Sequence, residues 1–198
     1  MNRLLHSIPL LYVALLWPGH IAIWDLYTRE WYYPQMMHIS GVWSVRLLVL
    51  TIAVTPALRV INWLGKGKAL GRWLIPRRRH FGLASAIYAF VHLVHYVLYT
   101  RYLGEIWIEA FDLALLTGWI GLIIYIALTL TSNAWSTRHM GRGWKRLHLL
   151  IYPTTALVLW HWYLFDFHID RVGFWALMIC LPKLVQWSLT LTKRYRAE

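Results

Sequence analysis

Three stretches of this chain run about twenty residues with almost no charge. Leu4–Ala22 and Leu147–Phe165 contain no Asp, Glu, Lys or Arg, and Phe111–Ala134 contains only Asp112. A helix rises about 1.5 Å per residue, so roughly 20 apolar residues cross a hydrocarbon core about 30 Å thick. Composition agrees, with 59% hydrophobic, 16% aromatic and 14% charged residues in 198, where a soluble domain carries about 25% charged residues. That is too little polar surface to cover a globule in water. The chain is therefore expected to be an all-α integral membrane protein whose surface faces the lipid bilayer.

Apolar runs and breakers predict six spans: Leu4–Ile23, Gly41–Trp63, Phe81–Leu103, Phe111–Ser132, Leu147–Phe165 and Val172–Thr192. The expectation is a six-helix transmembrane bundle forming one domain over residues 1–198. Pro18, Pro56, Pro153 and Pro182 fall in or near spans and read as kinks, their freed carbonyls satisfied by neighbouring helices. The first stretch follows a basic residue, Arg3, but Pro18-Gly19-His20 does not resemble a small-residue cleavage site. It reads as a retained helix.

Loop charge orients the bundle. Lys66, Lys68, Arg72 and Arg77–Arg79 fall between spans two and three, and Arg138, Arg142, Lys145 and Arg146 between four and five. Lys193, Arg194 and Arg196 lie in the tail. The other three loops hold only Arg29, Arg101 and Arg171, together with seven of the eight acids: Asp25, Glu30, Glu105, Glu109, Asp112, Asp166 and Asp170. The positive-inside rule then places both termini and the two basic loops in the cytoplasm. Trp17, Trp24, Trp31, Trp63, Trp73, Trp107, Trp135, Trp144 and Trp187 gather near span ends, where amphipathic rings prefer to sit. The net charge of +12 comes from these clusters between apolar segments, unlike the continuous basic stripe of a nucleic-acid binder. The single cysteine, Cys180, excludes an intramolecular disulfide and a CxxC site.

Ten histidines carry the functional reading. His6, His20, His38, His139 and His168 fall near interfaces or in loops. His92, His95, His148 and His161 fall within predicted spans, where ionisable residues are costly and are functional candidates by default. Counted from the cytoplasmic ends at about 1.5 Å per residue, His92 lies about 16 Å deep, His95 about 21 Å, His161 about 24 Å and His148 about 5 Å. His161 can therefore face His92 or His95 in the outer half of the membrane. His148 shares the inner level with His80 and Arg77–Arg79. Two imidazoles at one depth suit a planar macrocycle with two axial nitrogen ligands, as heme iron takes, whereas zinc wants further protein ligands. Arg78 and Arg79 are candidates to pair with propionates in two-point geometry. His148 and His161 sit about 220° apart on an ideal helix, so they share a face only if Pro153 distorts it; otherwise they serve different neighbours.

These residues resemble the MsrQ (YedZ) family, heme-binding membrane subunits of periplasmic methionine-sulfoxide reductase systems. The resemblance runs from His38-Ile39-Ser40-Gly41 and Thr55-Pro56-Ala57-Leu58-Arg59 through Arg78-Arg79, Gly82-Leu83, His92-Leu93 and Tyr96. It continues through Thr131-Ser132, Gly141, Trp144, Leu147-His148 and Tyr152 to His161. It implies a ferric-reductase-like transmembrane fold in a bacterial inner membrane, with heme-linked histidines at His92, His148 and His161. His80 and His95 depart from the family's pattern, which leaves His80 as an extra inner ligand, a propionate partner or an interfacial residue. The cofactors implied are one or two b-type hemes, with FMN as a further one. The partners implied are a cytoplasmic flavin reductase or the quinone pool as donor and a molybdenum-containing methionine-sulfoxide reductase, MsrP, as acceptor. The chain shows no GxGxxG turn and no P-loop for a nucleotide. One alternative is a ferric or other metal reductase using the same heme. Another is a histidine-lined proton or metal transporter, against which stand the absence of buried acids in the spans and of an evident inverted repeat.

Overall fold

The computed structural model describes residues 7–28, 33–63, 65, 68–100 and 102–195, with side chains for all of these save 21–28, 33 and 189–195. Arg3, His6, Arg29, Glu30, Trp31, Lys66, Arg101 and Arg196 lie outside the described residues, as do the side chains of Trp24, Asp25, Lys193 and Arg194. Among the described residues there are nine helices and no strand. They are α1 (Ile8–Thr28), α2 (Tyr33–Trp63), α3 (Lys68–Thr100), α4 (Leu103–Glu109), α5 (Leu113–Leu130), α6 (Ala134–Met140), α7 (Arg142–Leu149), α8 (Ile151–Asp166) and α9 (Ile169–Tyr195). Three stretches of the described residues, Pro34–Trp63, Lys68–Thr100 and Leu113–Leu130, are long and apolar enough to cross a membrane, and Ile8–His20 is a shorter apolar helix.

Two boundaries differ from the sequence expectation. The basic segment expected as a loop is helical from Lys68 onward, so Arg72 and Arg77–Arg79 form the first turns of α3, with Pro76 inside the helix. Lys and Arg are good helix formers, and one proline does not stop a helix whose neighbour packs along its length. At its other end α2 begins eight residues before Gly41, which takes His38 out of a loop and onto the helix.

The helices pack through small and hydroxylated residues. Between α2 and α3, Ser44 Oγ donates to the Ser85 carbonyl at 3.0 Å and Ser85 Oγ donates back to the Ser44 carbonyl at 2.6 Å. Both serines are buried, as is Ala84 beside them. Such residues let helix backbones approach closely in a medium that offers no hydrophobic drive for association. Meanwhile large apolar side chains point outward, Phe90 at 64% and Ile123 at 65% exposure. Small polar groups inside and bulky apolar groups outside is the arrangement lipid demands.

α1 leans on this pair, its Gly19 N–H donating to Tyr88 Oη at 2.9 Å. α5 packs against α8, and α9 covers α2 and α8. The core joins Val45, Leu48, Val49 and Ile52 of α2 to Tyr125 and Leu128 of α5 and Leu159 of α8. α5 starts sharply because Asp112 caps it, Oδ1 accepting from the Ala114 N–H at 2.8 Å. Asn133 caps α6 in the same way, and Gly141 turns the chain into α7 at φ 50°.

Candidate functional site

A cavity of about 850 Å³ opens between α2, α3, α5 and α8, within the range of roughly 300–1,000 Å³ typical of cofactor and ligand pockets. Its walls are mostly apolar, with Val45, Leu48, Leu122 and Val158 among them. His92 of α3 and His161 of α8 both line it, and Glu105 and Glu109 of α4 sit on its lining with Tyr96 and His38. The two imidazole centres lie 6.3 Å apart with planes at 85°.

Each imidazole is seated by the same local device on the helix it faces. His92 Nδ1 lies 2.8 Å from the Met37 carbonyl of α2, and His161 Nδ1 lies 2.7 Å from the Ala114 carbonyl of α5. A carbonyl only accepts, so Nδ1 carries the proton in both rings. Nε2 is left as the unprotonated nitrogen.

Four residues after each carbonyl stands a glycine. A Cβ on Gly41 would lie 3.1 Å from His92 Nδ1, and one on Gly118 would lie 2.7 Å from His161 Nδ1 and Cε1. In a helix the side chain at i+4 stands over the carbonyl of residue i, so any side chain there would block an imidazole arriving from the next helix. A hydroxyl stands at i+3 from each carbonyl: Thr117 Oγ1 donates to the Ala114 carbonyl at 2.8 Å, while Ser40 Oγ donates to the Met36 carbonyl at 2.8 Å with the Met37 carbonyl at 3.1 Å. The segments Met37-His38-Ile39-Ser40-Gly41 and Ala114-Leu115-Leu116-Thr117-Gly118 thus share one pattern, a carbonyl, a hydroxyl three residues on and a glycine after it. Gly118, Thr117 and Ala114 escaped the sequence reading. The repeated Ser/Thr-Gly pair inside an apolar span was the signal for them.

The other candidates are not brought to this cavity. His95, one turn beyond His92, is off the lining, and its Nδ1 is buried without a hydrogen-bond partner. His148 is not on the same helix as His161: α7 ends at Leu149, Leu150 intervenes, and α8 starts at Ile151. The interruption falls where Pro153 cannot donate to the Leu149 carbonyl and its ring crowds that carbonyl. The two histidines serve different neighbours, His148 the Thr131 hydroxyl and His161 the Ala114 carbonyl, so they need not share a face.

His148 stacks on Trp144 with ring centres 4.0 Å apart, and its Nε2 lies 3.0 Å from Thr131 Oγ1. Thr131 commits its own proton to the Ala127 carbonyl at 2.7 Å, so His148 Nε2–H is the donor. His80 Nδ1 contacts Tyr12 Oη of α1 at 3.1 Å, so His80 and His148 are engaged with different helices. Arg78 reaches across to α2, Nε donating to the Thr51 carbonyl at 2.9 Å and a terminal nitrogen to Thr55 Oγ1 at 2.7 Å. Arg79 has no contact with the cavity lining.

Among the described residues no three His, Cys, Asp or Glu side chains come together as a metal site. A metal held by His92 and His161 must therefore draw its other ligands from a bound group. With ring centres 6.3 Å apart on two helices and each Nδ1 committed to a carbonyl, His92 and His161 would be the residues to hold such a group, which would supply one-electron chemistry.

Comparison with known proteins agrees in kind. The family described as "Ferric reductase like transmembrane component" matches residues 40–159. A protein of Xanthomonas campestris named "Protein-methionine-sulfoxide reductase heme-binding subunit MsrQ" is 33% identical over 162 residues, 78% of this chain and 68% of its own length. A protein of the same name from Agrobacterium fabrum is 31% identical over 201 residues, 87% of this chain and 88% of its own. No solved structure matches. The chain belongs to the ferric reductase-like transmembrane family and, within it, to the MsrQ family.

Proposed function

We propose that this chain is a multi-pass electron-transfer subunit of a bacterial inner membrane that holds one b-type heme between His92 and His161. The observation that carries this reading is the pair of imidazoles from α3 and α8 at 6.3 Å, each with Nδ1 held on a backbone carbonyl. When bound, heme supplies reversible one-electron chemistry. The chain does the rest. The Met37 and Ala114 carbonyls fix the ring orientations, keep Nε2 unprotonated and raise its basicity as a ligand. Gly41 and Gly118 give the rings room, and the apolar walls keep water from the centre.

The names of the relatives support a role in a methionine-sulfoxide reductase system. We take the route to run from a cytoplasmic flavin reductase or quinol at the basic face outward to a periplasmic methionine-sulfoxide reductase, MsrP. In this reading six spans leave both termini in the cytoplasm, residues 1–198 form one domain, and the cavity occupies the outer half of the membrane. His148 stays outside the ligand set because Trp144 and Thr131 engage its ring, and Arg78 and Arg79, expected beside propionates, are not on the cavity lining.

The reduced-minus-oxidised spectrum of the purified protein, with heme stoichiometry, tests the assignment. A b-type spectrum is expected, lost in His92→Ala and in His161→Ala but kept in His80→Ala and His148→Ala. Purified protein without that spectrum, or unchanged spectra in both ligand variants, would overturn it. Reoxidation of the reduced protein by a periplasmic reductase and not by ferric chelates separates the route from that of a metal reductase.

A further inference from the structure

Two charges, Arg46 and Arg59, stand inside the second span. Arg46 lies on α2 within Pro34–Trp63, a stretch apolar enough to cross a membrane. Its guanidinium carbon is 4.8 Å from the ring centre of Trp43 and 5.8 Å from that of Trp175 on α9. Nε is buried with no hydrogen-bond partner. The ion pairs among the described residues, Arg171 with Asp166 and His168 with Asp170, leave it out. Arginine stays charged in proteins. An arginine in a membrane ordinarily snorkels to water or pairs with an acid. Here two indole faces hold it in cation–π geometry. The result is a half-buried positive charge with no carboxylate partner among the described residues.

This charge stands close to the histidine pair without touching it. Gly41, which lies under the His92 ring, is five residues along α2 from Arg46, about 7.5 Å along the axis. Val45 and Leu48, on either side of Arg46 in sequence, line the cavity, but Arg46 does not. The guanidinium acts through a layer of apolar side chains. A unit charge at roughly 10–15 Å, with an effective dielectric near 20, is enough to shift a one-electron equilibrium about tenfold.

Resting on the heme assignment above, we infer that Arg46 tunes the potential of the centre held by His92 and His161. Taking up one electron lowers the positive charge of the iron by one, with no proton or bond exchanged. A fixed cation nearby favours that reduced state and raises the midpoint potential. Arg46 is a positioning residue for charge, not a ligand.

Potentiometric titration of the purified, heme-loaded protein tests this. Arg46→Gln and Arg46→Met should keep the wild-type spectrum while the midpoint falls by about tenfold in the reduction equilibrium, or about 59 mV for one electron. Arg46→Lys, which keeps the charge, should hold the midpoint near wild type. A neutral variant with a wild-type spectrum and an unchanged midpoint overturns the inference. Loss of heme from both neutral variants also overturns it, since Arg46 would then be a packing element. Wild-type protein without a heme spectrum is a different failure, that of the functional reading beneath it.

Discussion

At the residue scale the site depends on two missing side chains. The notch at Gly118 is tighter than that at Gly41, 2.7 Å against 3.1 Å to the imidazole above it. A Cβ at 2.7 Å from the His161 ring must push it, because the Cβ is fixed to the α5 backbone and the ring is held on the Ala114 carbonyl. Gly118→Ala is therefore expected to lose most of the bound heme, measured as heme per protein after purification. Gly41→Ala should lose less, since a few tenths of an ångström relieve it. Equal retention in the two variants would contradict the geometry. The hydroxyls add a smaller effect. Thr117→Val leaves the Ala114 carbonyl to His161 and its own helix, and removing one such hydrogen bond costs about 1 kcal/mol. The variant should keep its heme with a slightly lower unfolding midpoint in detergent. Sequence reading found both imidazoles from the cost of placing them in lipid. It missed their seats because a carbonyl acceptor is common to every residue, and a glycine in a membrane helix is common too.

At the element scale the decisive event is the break at Leu150. The sequence expectation ran Leu147–Phe165 as one helix with Pro153 as its distortion, and the chain stops α7 at Leu149 and restarts as α8. Proline at 153 removes the N–H that would bond the Leu149 carbonyl, and its ring crowds that carbonyl. Pro153→Ala restores the donor and should raise the unfolding midpoint in detergent, with the heme spectrum kept because His148 and His161 have separate partners. Asp112 is the more consequential residue, since its carboxylate starts α5 two residues before the Ala114 carbonyl that accepts from His161. Asp112→Ala should destabilise the protein by about 1 kcal/mol and broaden the low-spin signal of the centre, read by thermal unfolding and electron paramagnetic resonance. The helical start of α3 was hidden from sequence reading for a different reason. A run of Arg and Lys looks like a loop when only hydropathy is read, although its helix propensity is high.

At the scale of the whole molecule the fold brings α3 and α8 together, helices separated in sequence by α4 to α7. α2 and α5 stand between them as the walls that seat each imidazole. The proposed six-span topology, with basic segments inside, predicts that a fluorescent-protein fusion after Met140 is bright and an alkaline-phosphatase fusion there inactive, with the reverse after Ala110. That the chain enters a membrane and that it is helical followed from the sequence alone, which also singled out the histidines of the spans as candidates. Those conclusions depend on solvation energies, which are summed residue by residue and need no knowledge of neighbours. Which histidine faces which, which helix lends the carbonyl, and that His148 belongs to Thr131 were settled only by tertiary structure. Such choices depend on the rotation and separation of helices, and small residues such as Gly41, Ser44, Ser85 and Gly118 set those by what their side chains leave empty.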